Sequence, residues 1–108
     1  MGDHTTALEY QLLDLEIGQR ISDKPAQIRA SANIGATYEA LREFNKAGSY
    51  HDQLLNIATL VNDREAKIKA FSNLGENNLL MLHHHAINQR YYSFFLFIKP
   101  RQEVHSSK

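Results

Sequence analysis

The sequence predicts an all-α chain of antiparallel helix pairs, stacked as a repeat of about two and a half units. Two observations carry this. First, a shift of forty positions lays Ala7, Tyr10, Leu15, Ile17, Asp23, Ala26, Ile28, Ala30, Asn33 and Gly35 on Ala47, Tyr50, Leu55, Ile57, Asp63, Ala66, Ile68, Ala70, Asn73 and Gly75 without a gap. A period of that length marks supersecondary units that bury their apolar faces only by stacking. Second, apolar residues return at helical spacing, as in Ile28, Ile34, Tyr38 and Leu41, then Ala47, Tyr50, Leu54, Ile57, Ala58 and Val61. Strand-like alternation is missing, and only residues 91–98 are rich in β-formers.

The elements follow in order. Residues 1–22 match the second helix of a unit, so they form an incomplete first repeat. Residues 23–62 make a complete pair. Its first helix opens at Asp23-Lys24-Pro25, with Asp23 as N-cap and proline tolerated in the first turn. A tight turn over residues 42–45 leads to the second helix, and Asn62-Asp63 opens the next unit. Residues 63–99 form a divergent last repeat whose inter-helix turn should fall at His83-His84-His85, opposite Glu43-Phe44-Asn45. Pro100 should end the last helix, and residues 100–108 read as a polar tail. A chain that starts mid-unit is expected to be a segment or alternative product of a longer array.

Bulk properties narrow the function. The chain has 108 residues, 43% hydrophobic and 22% charged, with a formal net charge of zero and no cysteine. The charge balance gives no basic signal for nucleic acid. The lack of cysteine removes disulfide and thiol chemistry and suits a reducing compartment. Met1-Gly2-Asp3-His4 show no basic segment followed by an apolar core, so no signal peptide is expected from these residues, and a cytoplasmic setting is expected. No nucleophile elbow, phosphate loop or paired-histidine metal motif is present, so neither enzyme activity nor a cofactor is expected.

The string Arg29-Ala30-Ser31-Ala32-Asn33-Ile34-Gly35, followed by Tyr38, Leu41, Phe44 and Ala47-Gly48-Ser49-Tyr50-His51, resembles the tetratricopeptide repeat family. The form it resembles is the forty-residue repeat of LGN/Pins-like scaffold proteins. The second copy reads Lys69-Ala70-Phe71-Ser72-Asn73-Leu74-Gly75. The likeness covers residues 1–82 well and the remainder poorly. It departs at Ser31, Asn78 and Ile87, and the proline that often closes a unit is missing. HEAT and armadillo arrays have a comparable period but do not usually carry the Asn-Leu-Gly-x-x-Tyr signature. The resemblance implies a right-handed solenoid whose first helices line an inner wall for extended, acidic peptides. It is also the source of any expected cytoskeletal or polarity role.

A helical wheel of about 100° per residue puts Arg29, Asn33, Ala36 and Ala40 on one side of the first helix. Ser31, Ile34, Gly35, Tyr38 and Leu41 fall on the other, where Gly35 suits close approach of the unit's second helix. The peptide-groove candidates are therefore Arg29, Asn33 and Ala36, with Lys69, Asn73 and Glu76 as their counterparts. Asparagine amides can pair with a peptide backbone, and arginine can grip a carboxylate at two points. An equally good reading has Asn33 and Asn73 tying neighbouring units together, with Arg29 and Lys69 solvated.

His83-His84-His85 point in three directions if helical and do not close on one metal. The aromatic segment 91–98 is far shorter than the roughly 20 residues of a membrane span. Its exposed rings are expected to drive self-association through the end helices, and membrane attachment there is the weaker reading. The function expected is a protein-interaction module. The alternative is a short form that associates with itself or with a longer repeat protein and has no ligand of its own.

Overall fold

A computed structural model describes the backbone of residues 3–106 and the side chains of residues 3–90. The chain is all-helical, with α1 (His4–Arg20), α2 (Lys24–Ala40), α3 (Phe44–Leu60) and α4 (Arg64–Ser106), and no strand among the described residues. The first three helices have 17 residues each. Helices therefore start every twenty positions, at His4, Lys24, Phe44 and Arg64. The backbone repeats at half the sequence period, because alternate helices share a corner design but carry different faces.

The corners are three residues long and chemically alike. Ser22, Arg42 and Asn62 take positive φ, at 56°, 66° and 57°. That reversal lets the next amide bond back into the helix just ended: Asp23 N–H to Gly18, Glu43 N–H to Tyr38, Asp63 N–H to Ala58, each at 2.8 Å. The same residue then starts the following helix. Asp23 Oδ1 accepts from the Ala26 amide and Asp63 Oδ1 from the Ala66 amide, and Asp3 caps α1 in the same way through Thr6. Glu43, one methylene longer, makes no side-chain cap.

Two compact units result, Met1–Asn78 and Leu79–Lys108. In the first, each helix packs on the next in sequence. Between α1 and α2, Leu15, Ala30 and Ile34 form a buried cluster flanked by Leu8, Leu12 and Tyr38. The buried Gln27 amide donates to the Gly18 carbonyl at 3.0 Å, and the Thr37 hydroxyl donates to Gln11 at 2.8 Å. Between α2 and α3, the Tyr38 and Tyr50 rings stack with centroids 5.7 Å apart, and Lys46 stands over Tyr38. Leu54 and Ala58 are fully buried on α3. Full burial of a leucine is worth about 1.5–3 kcal/mol. Between α3 and α4, Asn77 Nδ2 donates to the Phe44 carbonyl at 3.1 Å, and Ala66 and Ala70 are buried.

Gly35 marks the closest approach. A Cβ built on it would stand 2.4 Å from Cε1 of His51, a fully buried ring whose Nε2 donates to Glu39 at 3.0 Å. The expected closeness of α2 to the unit's second helix is met by this imidazole. Tyr50 and Val61, expected on the buried stripe of α3, are half-buried and exposed respectively.

The last repeat is corrected. No turn forms at His83-His84-His85; α4 runs through them as one helix to Ser106, so residues 63–99 hold no helix pair. Pro100 does not end the helix either, and the backbone of residues 100–106 is helical, not a loose tail. The twenty-residue spacing gives the reason. The next corner would need Leu82 at the positive-φ position and His83 as cap. Leucine is far less at ease there than serine or asparagine, and histidine is no favoured N-cap. The side chains of residues 91–98, and with them the expected aromatic exposure, lie outside the described residues.

Candidate interaction cleft

On one side of the α1–α2 pair lies a cleft of about 320 Å³. Its α2 wall is Asp23, Ala26, Arg29, Ala30 and Asn33, and its α1 wall is Asp14, Ile17, Gly18 and Ile21. Both sets follow helical spacing, so each is one face of its helix. Gly18 sets the depth. A Cβ there would be 3.3 Å from Gln27 Cγ and 3.4 Å from Ala26 Cβ, so the two backbones meet closely beneath the opening.

Two of the six groove candidates, Arg29 and Asn33, open onto this cleft, and both are exposed. Ala36, Lys69, Asn73 and Glu76 do not line it. Ala36, Lys69 and Glu76 are exposed elsewhere on α2 and α4, and Asn73 is half-buried. The cleft is walled by α1 and the first helix of the complete pair, not by two first helices. Sequence reading missed its α1 wall, Asp14, Ile17 and Ile21. The signal was available: Asp14 stands forty positions before the buried Leu54, a charge where the copy has core.

The electrostatics are mixed. Arg29 supplies one positive charge, and Asp14 and Asp23 supply two negative ones, with one Asp23 oxygen occupied by the Ala26 amide. A guanidinium between apolar walls can grip a carboxylate from two donors. The neighbouring aspartates disfavour a continuous acidic run.

A second cleft, of about 450 Å³ and largely apolar, lies between α3 and α4, lined by Leu55, Asn56, Thr59, Leu60, Lys67 and Phe71. Among the described residues, no three His, Cys, Asp or Glu side chains are grouped to hold a metal ion. Among the described residues, no helix is long and apolar enough to cross a membrane. His83 and His85 are exposed on α4. No family model matches the chain, and no curated protein matches it.

Proposed function

We propose that this chain is a non-enzymatic protein-interaction module, a scaffold or adaptor segment that takes an extended peptide in the α1–α2 cleft. The observation that carries the reading is the meeting of Arg29 and Asn33 with Ile17 and Ile21 on one opening. The ligand chemistry follows from that mixture. One carboxylate docks on Arg29, an apolar neighbour sits on Ile17 and Ile21, and the Asn33 amide takes the peptide backbone. The resemblance to tetratricopeptide scaffolds supports an acidic peptide as the partner and is the basis for a solenoid working in the cytoplasm.

Fluorescence anisotropy with labelled extended peptides tests this. A peptide with one acidic residue between apolar ones binds, and Arg29→Glu weakens it by about tenfold or more, one full step in affinity arithmetic. Asn33→Ala has a smaller effect. Equal binding by wild type and Arg29→Glu, or a preference for a basic peptide, overturns the assignment.

The second reading, association with itself or with a longer repeat protein, has its own support. Tyr10, Leu13 and Ile21 on α1 and Ile68 and Phe71 on α4 are exposed large apolar side chains.

A further inference from the structure

We propose that copies of this chain associate head to tail, with α1 of one copy taking on α4 of another the place that α3 takes on α2 within the chain. This rests on the second reading above and names its faces. The template is the α2–α3 interface, where Gly35 meets the His51 ring and Tyr38 stacks on Tyr50, with Ser31 and Ile34 buried on α2 and Ala47, Leu54 and Ile57 buried on α3. Forty positions on, α4 offers Phe71, Leu74, Gly75 and Asn78. Forty positions back, α1 offers Ala7, Tyr10, Gln11, Asp14 and Ile17. The chain thus carries a second copy of each half of its own interface.

Most of each spare half is open: Tyr10, Asp14 and Ile17 on α1 and Phe71, Gly75 and Asn78 on α4 are exposed, while Ala7, Leu74 and Gln11, which accepts from Thr37, are half-buried. Ser31 is fully buried, whereas its counterpart Phe71 is 62% exposed. Gly35 has the His51 ring against it, but nothing among the described residues lies within 4 Å of a Cβ built on Gly75. On α1, Tyr10 is 67% exposed where Tyr50 is stacked on Tyr38. The occupant suited to a face of this register is a helix of the α3 type, and α1 is such a helix. Because the two faces differ, the contact is heterologous, and copies joined end to end leave one face of each kind at the ends of the string.

Asp14 sets the strength. It stands where Leu54 is fully buried, so association brings a carboxylate towards Phe71 and Leu74. The wild-type contact is therefore weak, and Asp14→Leu tightens it by about tenfold or more, the step expected when a buried charge gives way to a matching hydrophobe.

Sedimentation velocity on the full chain over a wide concentration range is the test. The mean mass of wild type climbs past the dimer, and Asp14→Leu moves the climb to lower concentration. Gly75→Arg blocks the α4 face and Tyr10→Arg the α1 face, each with circular dichroism unchanged, and each alone remains a monomer. Mixed in equal amounts, the two blocked variants form a dimer and stop, since one intact face survives on each. Wild type and Asp14→Leu both monomeric throughout, blocked variants that still associate, or a mixture that stays monomeric would each overturn the proposal. Asp14 and Ile17 serve both the cleft and the α1 face, so the separating variant is Gly75→Arg, which lies outside the cleft: it abolishes assembly and leaves peptide binding intact.

Discussion

Adding one methyl group at Gly35 and one at Gly75 should move stability in opposite directions, although the two glycines are the same position of the repeat. In a helix interior, alanine is favoured over glycine by about 0.5–1 kcal/mol. At Gly75 nothing among the described residues opposes that gain, because no neighbour lies within 4 Å of the new Cβ. At Gly35 the Cβ would stand 2.4 Å from Cε1 and 2.7 Å from Nδ1 of His51. The ring has little room to yield, since it is 2% exposed and tied to Glu39 at 3.0 Å. Either α2 and α3 separate, an overpacking cost of about 1–3 kcal/mol, or the ring rotates and gives up the Glu39 bond, worth about 1.5–3 kcal/mol with a charged partner. Subtracting the propensity gain leaves Gly35→Ala destabilised by about 1–2 kcal/mol. At roughly 4–8 °C per kcal/mol for a domain of this size, Tm falls by about 10 °C in Gly35→Ala and rises by about 5 °C in Gly75→Ala. Thermal melts followed by far-ultraviolet circular dichroism read both. The cause is checked in a His51→Ala background, where Gly35→Ala becomes neutral or stabilising, with a coupling of about 1–3 kcal/mol. Equal shifts at both glycines, or no coupling to His51, would refute the reasoning.

Three shorter predictions concern the corners and the helix caps. Asp23→Ala and Asp63→Ala each cost about 1 kcal/mol in urea unfolding, whereas Glu43→Ala costs little because its side chain caps nothing. Arg42→Gly stabilises by about 1 kcal/mol, read in the same assay, because only glycine holds φ of 66° without Cβ strain. The Asp3 carboxyl is held below its ordinary value of 3.8, first by the Thr6 hydroxyl and then by the Thr6 amide. With the folded value depressed, the cap's contribution is complete above the unfolded pKa and is lost as pH falls through the lower folded one. Thr6→Val therefore raises the Asp3 titration seen by NMR and shifts fraying of the first turn of α1 to higher pH; an Asp3 titrating at or above 3.8 in wild type contradicts this.

The sequence by itself determined where helices start and which way some of their faces turn. Asp23 and Asp63 are legible as caps because capping depends on a side chain and an amide three residues away. The close approach at Gly35 was legible because a missing Cβ on a packing face has few other uses. Of the nine residues that line the cleft, Arg29 and Asn33 were legible as neighbours, since they share a face by helical periodicity alone.

Three matters needed the packed chain. The fate of residues 82–83 was hidden by the forty-residue match, which aligned sequence over an interval twice that of the corners; only the positive φ at Ser22, Arg42 and Asn62 revealed the shorter spacing that Leu82 breaks. The partner of Gly35 was undecided because the distance between two helices fixes which side chain spans them, and the ring that does so is His51, with its Nε2 on Glu39. The charge of the cleft was undecided because Asp14 joins Arg29 through packing of α1 on α2, fifteen residues apart in the chain. Caps and corners are set by neighbours along the backbone, whereas a cleft is set by what two surfaces leave uncovered.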